Sequence, residues 1–298
     1  MANYNILTLS EPVTDFVATT SPATINLQCG LMEDAQRKKV YAVYKAGGMP
    51  EHPYDGVRVE MEVMLGFPLS ELDVGAKIAA PMKDGSKQIR VLLHKGNPDP
   101  SLYPESCNAG WTVEEAIHEM RQWHSPTNFN DYANSTIYAW QNTDYAALFD
   151  PRFLAKVVEA KIPYVNGTGA TGVVASGDNG LACVFFLLSM YEVGYTVSDG
   201  ATLPVDGARL DYFSGGIDAT ANAKRIAYLN GDAKRWWSRS PHFDRESDTG
   251  NVWRMDTDGS HSIGACSNVF GARPACLLPL DLLLDFTPNP DGSFNLVL

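Results

Sequence analysis

Basic residues are scarce in this sequence: 23 Lys and Arg stand against 35 Asp and Glu, a formal charge of −12 over 298 residues. Such a balance repels phosphate backbones and anionic membranes unless the basic residues cluster, and along the chain they do not. Neither nucleic acid nor membrane is therefore expected as a partner. Long apolar runs are missing too: the richest stretch, residues 181–193, is interrupted by Ser189 and Glu192 and is too short to span a bilayer. The opening MANYNILTLSEP has neither a basic n-region nor an apolar h-region, so no secretory signal is expected. Cysteine is sparse, with Cys29, Cys107, Cys183, Cys266 and Cys276 widely spaced, odd in number and without a C-x-x-C pair. They read as reduced, mostly buried thiols and not as a disulfide framework.

The sequence also lacks the usual catalytic signatures. There is no phosphate-binding G-x-x-x-x-G-K-[ST], and the NGTGATG run at 166–172 does not follow a strand and open a helix. His118 and His124 stand six apart with no H-E-x-x-H. His242 and Asp244 could form a dyad, but no serine or cysteine in a strained nucleophile turn accompanies them. Asp256-Thr257-Asp258-Gly259 begins like a calcium loop without the remaining ligands and reads as a tight turn. No catalytic residue, metal or cofactor is expected.

What is present is the composition of a folded protein, 45% apolar and 10% aromatic. Residues 3–65 alternate short apolar runs with Pro and Gly. In the last of these, Val57, Val59, Met61 and Val63 alternate with Arg58, Glu60 and Glu62, as in a strand with one wet face. A composition shift at 66–74 divides the chain into a β-rich segment, 1–71, and a larger domain, 72–298. Within the latter, Lys83-Asp84-Gly85-Ser86 predicts a hairpin turn, and Thr112 with Glu115 has the spacing of a capping box, which predicts a helix over 112–123. Further helices are expected from about Ser135 and after Pro151, a surface loop over 166–179, and a buried strand or short helix over 181–195. Beyond Asp199 the pattern reads as loops and short strands, and Asp291-Gly292 as a terminal hairpin or an exposed tail.

The least ordinary stretch is 234–279, which holds Trp236, Trp237 and Trp253 among Arg, Asp, Ser, His and Asn. Strand alternation keeps Trp236 and Trp237 from facing the same side and makes 251–256 a strand that returns antiparallel through 260–263. Trp, Arg, Asn, Ser and His in this mixture supply contact area and adaptable hydrogen bonding, as recognition surfaces do, although large aromatics are more often packed in a core.

WW-S-RSP at 236–241, V-W-x-M-D-x-DG at 252–259 and N-x-FGARPA at 268–275 resemble the end of a widespread bacterial and phage domain of uncharacterised function. S-x-I-x-x-W at 135–140, KIPY at 161–164, FLLSxxEVG at 186–194 and LDYF at 210–213 agree with it, so the resemblance spans roughly 72–285. That domain looks like a branch of the C-type-lectin fold shared with formylglycine-generating enzymes and with the variable proteins of diversity-generating retroelements. The resemblance implies an α+β chain: a C-type-lectin-like, formylglycine-generating-enzyme-like domain preceded by a small β-rich segment. Carried onto these positions, Trp236, Trp237, Arg239, Gly271, Arg273 and Pro274 form a scaffold. Phe243, Arg245, Asn251, Trp253, Arg254, His261, Ser262 and Asn268 face a ligand.

The implied role is a phage virion protein, on tail or capsid, that binds a host-surface protein or glycan without being an enzyme. Its N-terminal segment would contact other virion proteins or form a homo-oligomer, with a trimer as the first expectation. A purely structural decoration protein is the alternative. An intracellular oxidoreductase of the formylglycine-generating type is another, for which Cys266 and Cys276 would have to act as a pair, although Cys276 reads as a buried strand position and Cys266 as part of the variable patch.

Overall fold

A computed structural model describes residues 66–200, 202–244 and 249–298, together with the backbone of three strands near the N-terminus. The chain divides into two compact units, residues 1–67 and 68–298. In the first unit β1 (Ala23–Gly30), β2 (Arg37–Ala46) and β3 (Arg58–Met64) form one antiparallel sheet in chain order.

The second unit is mixed α/β, mostly sheet with few and short helices. Its first five-stranded sheet is built from β4 (Lys77–Pro81), β5 (Lys87–Gly96), β6 (Ala109–Glu114), β12 (Ala275–Leu278) and β13 (Ser293–Asn295), in the order β12-β6-β5-β4-β13. The second contains β7 (Glu119–Gln122), β8 (Trp236–Pro241), β9 (Asn251–Met255), β10 (His261–Ala265) and β11 (Val269–Ala272), in the order β10-β9-β8-β11-β7. β13 runs parallel to β4 and β11 parallel to β8; the other ladders are antiparallel. Trp111, Trp123, Trp236 and Trp237 are fully buried.

Local signals decide some elements and tertiary pairing overrides others. The hairpin turn at 83–86 joins β4 to β5, closed by Ser86 N donating to Asp84 Oδ1 at 2.9 Å, with Gly85 at φ +86°. The expected helix over 112–123 is instead β6, a turn and β7. β6 lies between β5 and β12 with every residue buried, and ladder pairing on both edges outweighs the local helix signal. Thr112, read as a helix cap, donates its hydroxyl to Cys276 O at 3.1 Å, and Glu115 pairs with Lys77 at 2.6 Å. The helix from Ser135 does form: α1 (Thr136–Trp140), capped by Ser135 and continued by a π-turn over Gln141–Tyr145. After Asp150 and Pro151, helix α2 (Pro151–Leu154) lasts a single turn before the chain becomes the short strand Ala160–Ile162. Residues 166–179 are less open than expected, since Tyr164–Asn166 and Val173–Ala175 close them as a short ribbon. Asp291 and Gly292 lie in a turn that sets β13 beside β4, so the C-terminus is a strand of the sheet.

Candidate functional site

The second sheet rests on buried arginines. Every residue of β8 is buried. Arg239, in its middle, uses all five N–H donors: Nε to Pro163 O at 2.9 Å, Nη1 to Leu187 O at 2.9 Å and Glu192 Oε2 at 2.6 Å, Nη2 to Glu192 Oε1 at 2.6 Å and Asp206 O at 2.8 Å. Glu192 also accepts from Tyr103 Oη and Ser189 N, both at 2.8 Å. Burial works against charge on the Arg239 guanidinium, but the Glu192 carboxylate overrides it and holds the group above its ordinary range. Asp206 accepts from Ser240 Oγ at 2.8 Å, and its complete burial pushes its carboxyl up to about 7 against the opposing pull of Arg239.

Arg273 donates Nε to Glu114 O at 2.7 Å and Nη2 to Glu115 O at 3.2 Å, with its guanidinium 5.3 Å from the Trp236 ring centroid. Burial pulls it down to about 10, and its Nη1 has no acceptor. Gly271 is fixed by space, because a Cβ there would meet Ile117 Cγ2 at 2.7 Å. Pro274 is buried and its carbonyl accepts from Arg90 Nη2 at 3.0 Å. Two further buried arginines, Arg90 and Arg225, went unsignalled in the sequence. Arg90 reaches Thr112 Oγ1 and Gln88 Oε1, and Arg225 reaches Val193 O while stacking 4.0 Å from Tyr195. Glu192 could have been found within FLLSxxEVG, since an acid inside an apolar run needs a buried cation.

The residues expected to face a ligand are divided by the sheet. In the β9–β10 ladder Trp253 opposes Ile263 and Met255 opposes His261, so Asn251, Trp253 and His261 share one face. Arg254 opposes Ser262, which puts both on the other face with Val252 and Gly264. Trp253 and Arg254 are each only 8% exposed, contrary to their expected place on an open patch. β9 is an inner strand and both of its faces are covered. Trp253 donates Nε1 to Thr202 O at 3.3 Å, and its ring stacks on His261 at 5.3 Å between centroids. Arg254 is laid against Phe270 and bonded to Asp256. His261 is half-buried, with Nε2 3.2 Å from Asp199 O, and burial lowers its pKa. Phe243, Asn251 and Ser262 are half-buried and Asn268 is exposed, while Arg245 lies outside the described residues. Cys266, read as part of the patch, is fully buried.

Sequence reading missed an aromatic and cationic cluster on the Arg254 face. The turn after β10, closed by Asn268 N donating to Ala265 O at 2.8 Å, swings Phe270 back toward Arg254, whose guanidinium lies 4.9 Å from the ring centroid. Gly264 leaves the room for this. A Cβ there would meet Phe270 Cε2 at 2.7 Å and Arg254 Nε at 3.3 Å. Trp237 packs behind at 4.6 Å from the Phe270 ring, Arg235 approaches the same ring at 5.9 Å, and Arg121 is the ladder partner of Phe270. Two carboxylates pair with the three guanidiniums. Asp256 bonds both Arg235, at 2.7 Å, and Arg254, and Glu119 bonds Arg121. Arg121 also lies 4.0 Å over Trp140 of α1. Phe270 is half-buried and Arg235 exposed, so the cluster reaches solvent. Residues 121, 235, 254 and 270 are spread over 150 positions of sequence, which is why no local pattern announces them.

The profile of a domain of unknown function, DUF6273, matches residues 108–280, more than half of the chain. The chain belongs to the DUF6273 family. No curated protein and no solved structure matches it. The DUF6273 span contains the whole second sheet, Arg239 with Glu192 and the Asp206 carbonyl, and the cluster around Phe270. It begins at the edge of β6 and leaves out β4, β5 and β13, which complete the first sheet. Among the described residues no group of His, Cys, Asp and Glu could hold a metal ion, and no helix is long and apolar enough to cross a membrane.

Proposed function

We propose that this DUF6273 protein is a non-catalytic recognition protein with a C-type-lectin-like domain, displayed on the tail or capsid of a phage and binding a host-surface ligand. The observation that carries the reading is the solvent-reaching cluster of Arg235 and Arg254 around Phe270, with Arg121 beside it on the neighbouring strand, set on a sheet whose own anchors are buried. Arginine and aromatic side chains dominate the energetics of recognition surfaces, and a rigid support keeps the ordering cost of binding low. Virion display and the lectin-like class rest on the resemblance of the 236–275 motifs. The three-stranded N-terminal unit is the proposed contact to other virion proteins or to further copies of the chain, where symmetry would multiply a weak affinity.

The oxidoreductase alternative draws no support from the thiols. Cys266 follows β10 in one sheet and Cys276 lies within β12 in the other, and both are buried. The reading is tested by screening the purified full chain against candidate host cells and arrays of their surface proteins and glycans. Saturable binding that Arg235→Ala weakens at least fivefold is expected. Absence of binding to every host whose phage carries the gene would remove it. Light scattering on the same sample should give a multiple of the 32.6 kDa chain mass, and a monomer would remove the oligomeric part.

A further inference from the structure

We infer that the cluster around Phe270 binds a saccharide carrying a carboxylate. This rests on the recognition reading above and names its ligand class. Arg235 and Arg254 lie against the half-buried Phe270 ring, Arg121 is the ladder partner of Phe270 with its guanidinium over Trp140, and the two acids paired with them, Asp256 and Glu119, take up only part of their donors. Arg254 bonds Asp256 through Nη1 and Arg121 bonds Glu119 through Nη1. Nε of both Arg121 and Arg254 is buried without an acceptor. Arg235 engages Asp256 through Nε, which leaves both of its terminal nitrogens for solvent or ligand. Three cations against two anions leave one positive charge in excess on a chain of net charge −12. A guanidinium fork with terminal nitrogens to offer recognises a planar carboxylate in two-pronged fashion.

The acids decide which carboxylate. An acidic peptide or a polyphosphate brings negative charge without the ring hydroxyls that the Asp256 and Glu119 carboxylates could accept from, so those two acids repel it and gain no hydrogen bond in return. A uronate-type sugar brings one carboxylate per residue, surrounded by hydroxyls that need acceptors as well as donors. Asp256 and Glu119 supply acceptors, Ser262 on the same face as Arg254 supplies a hydroxyl of either role, and the guanidiniums supply donors. The half-buried Phe270 ring adds apolar surface for the face of a sugar ring, and Gly264 lets Cε2 of that ring pack closely against β10. Weak single-site affinity suits a repeating acidic polysaccharide met by several copies of the chain.

The test titrates the purified full chain with D-glucuronate, D-galacturonate and oligogalacturonate, against glucose, the methyl ester of galacturonate and a hexaglutamate peptide, followed by saturation-transfer NMR and by Trp fluorescence. Binding of at least one uronate, at least tenfold tighter than its neutral counterpart, is expected, with little response to the peptide. Arg235→Ala, an exposed position, should weaken uronate binding at least fivefold and leave the melting temperature unchanged, whereas Lys83→Ala in the β4–β5 turn should change neither. Gly264→Ala should reduce binding by crowding Phe270, and normal far-ultraviolet dichroism would confirm that this variant is folded. No response to any uronate, equal response to the methyl ester, stronger response to hexaglutamate, or uronate binding indifferent to Arg235→Ala would each overturn the assignment. If cells are bound but uronates are not, the ligand class falls and the recognition reading stands; if neither is bound, both fall.

Discussion

Arg239 and Glu192 clasp each other through two hydrogen bonds of 2.6 Å where neither side chain has any exposed surface. Such a pair is weak evidence for net stability, because desolvating both charges offsets most of their attraction, but breaking it strands one charge in the core. Arg239→Ala leaves Glu192 with Tyr103 Oη and Ser189 N as its remaining donors and should cost about 3–5 kcal/mol of unfolding free energy. Denaturant titration of the variant decides it, and a loss below about 1 kcal/mol would show that the pair is not the anchor of β8.

Asp206 makes stability depend on pH in a direction opposite to that of most acids. Burial raises its folded-state value to about 7, above the ordinary carboxylate value of 3.8 that the unfolded chain shows. Between about pH 4 and pH 7 the folded state therefore holds a proton that the unfolded state has released. Its contribution is full below pH 4 and is lost as pH rises through 7. The groups facing it are Ser240, Arg239, through the Asp206 carbonyl, and Glu192 on the far side of that guanidinium. Asp206→Asn should flatten the downward slope of unfolding free energy over this window by a few kcal/mol, on the order of the shift itself. Parallel slopes for the two proteins, measured in urea at pH 4.5, 6 and 7.5, would rule the coupling out.

How far the sequence could be read depended on whether a residue's role is local. The turn at 83–86, the Ser135 cap and the 251–263 hairpin are set by neighbours within a few positions, and each is present. The Thr112 and Glu115 spacing misled because β6 takes its conformation from β5 and β12, partners that no local window contains. Of the residues at 251–268 expected to face a ligand, Trp253 and Arg254 are buried, since composition says which residues suit a surface but not that β9 would be an inner strand. Arg121, Arg235 and Phe270 meet only through the β8–β11–β7 pairing, and the non-clustering of basic residues along the chain concealed their clustering in space.

Trp253 and Asn268, once expected to share a ligand-facing role, should separate by stability. Trp253 is buried against His261 and close to Gly200, and Thr202 O accepts its indole N–H. Trp253→Ala should cost about 3–5 kcal/mol, as for a large aromatic removed from a core. Asn268→Ala, at an exposed turn, should stay within about 0.5 kcal/mol. Thermal melts of both variants check this, and similar melting temperatures would restore Trp253 to the surface.

Thiol reactivity discriminates between recognition and the oxidase chemistry that the fold resemblance leaves as an alternative. Redox chemistry at a cysteine needs an accessible thiolate, and Cys107, Cys183, Cys266 and Cys276 are all buried. Burial pushes the thiols of Cys107 and Cys183 up, away from the thiolate form, and Cys276 Sγ lies 3.4 Å from Thr112 Oγ1 inside the first sheet. In a Cys29→Ser variant, which removes the one remaining cysteine, a chromogenic disulfide reagent should find fewer than one thiol per native chain over an hour and four after denaturation. Labelling should then track global opening and accelerate with denaturant. Two thiols reacting within seconds in the native protein, together with the appearance of a Cys266–Cys276 disulfide on mild oxidation, would instead require those two residues to meet at an open surface and would bring the oxidoreductase reading back.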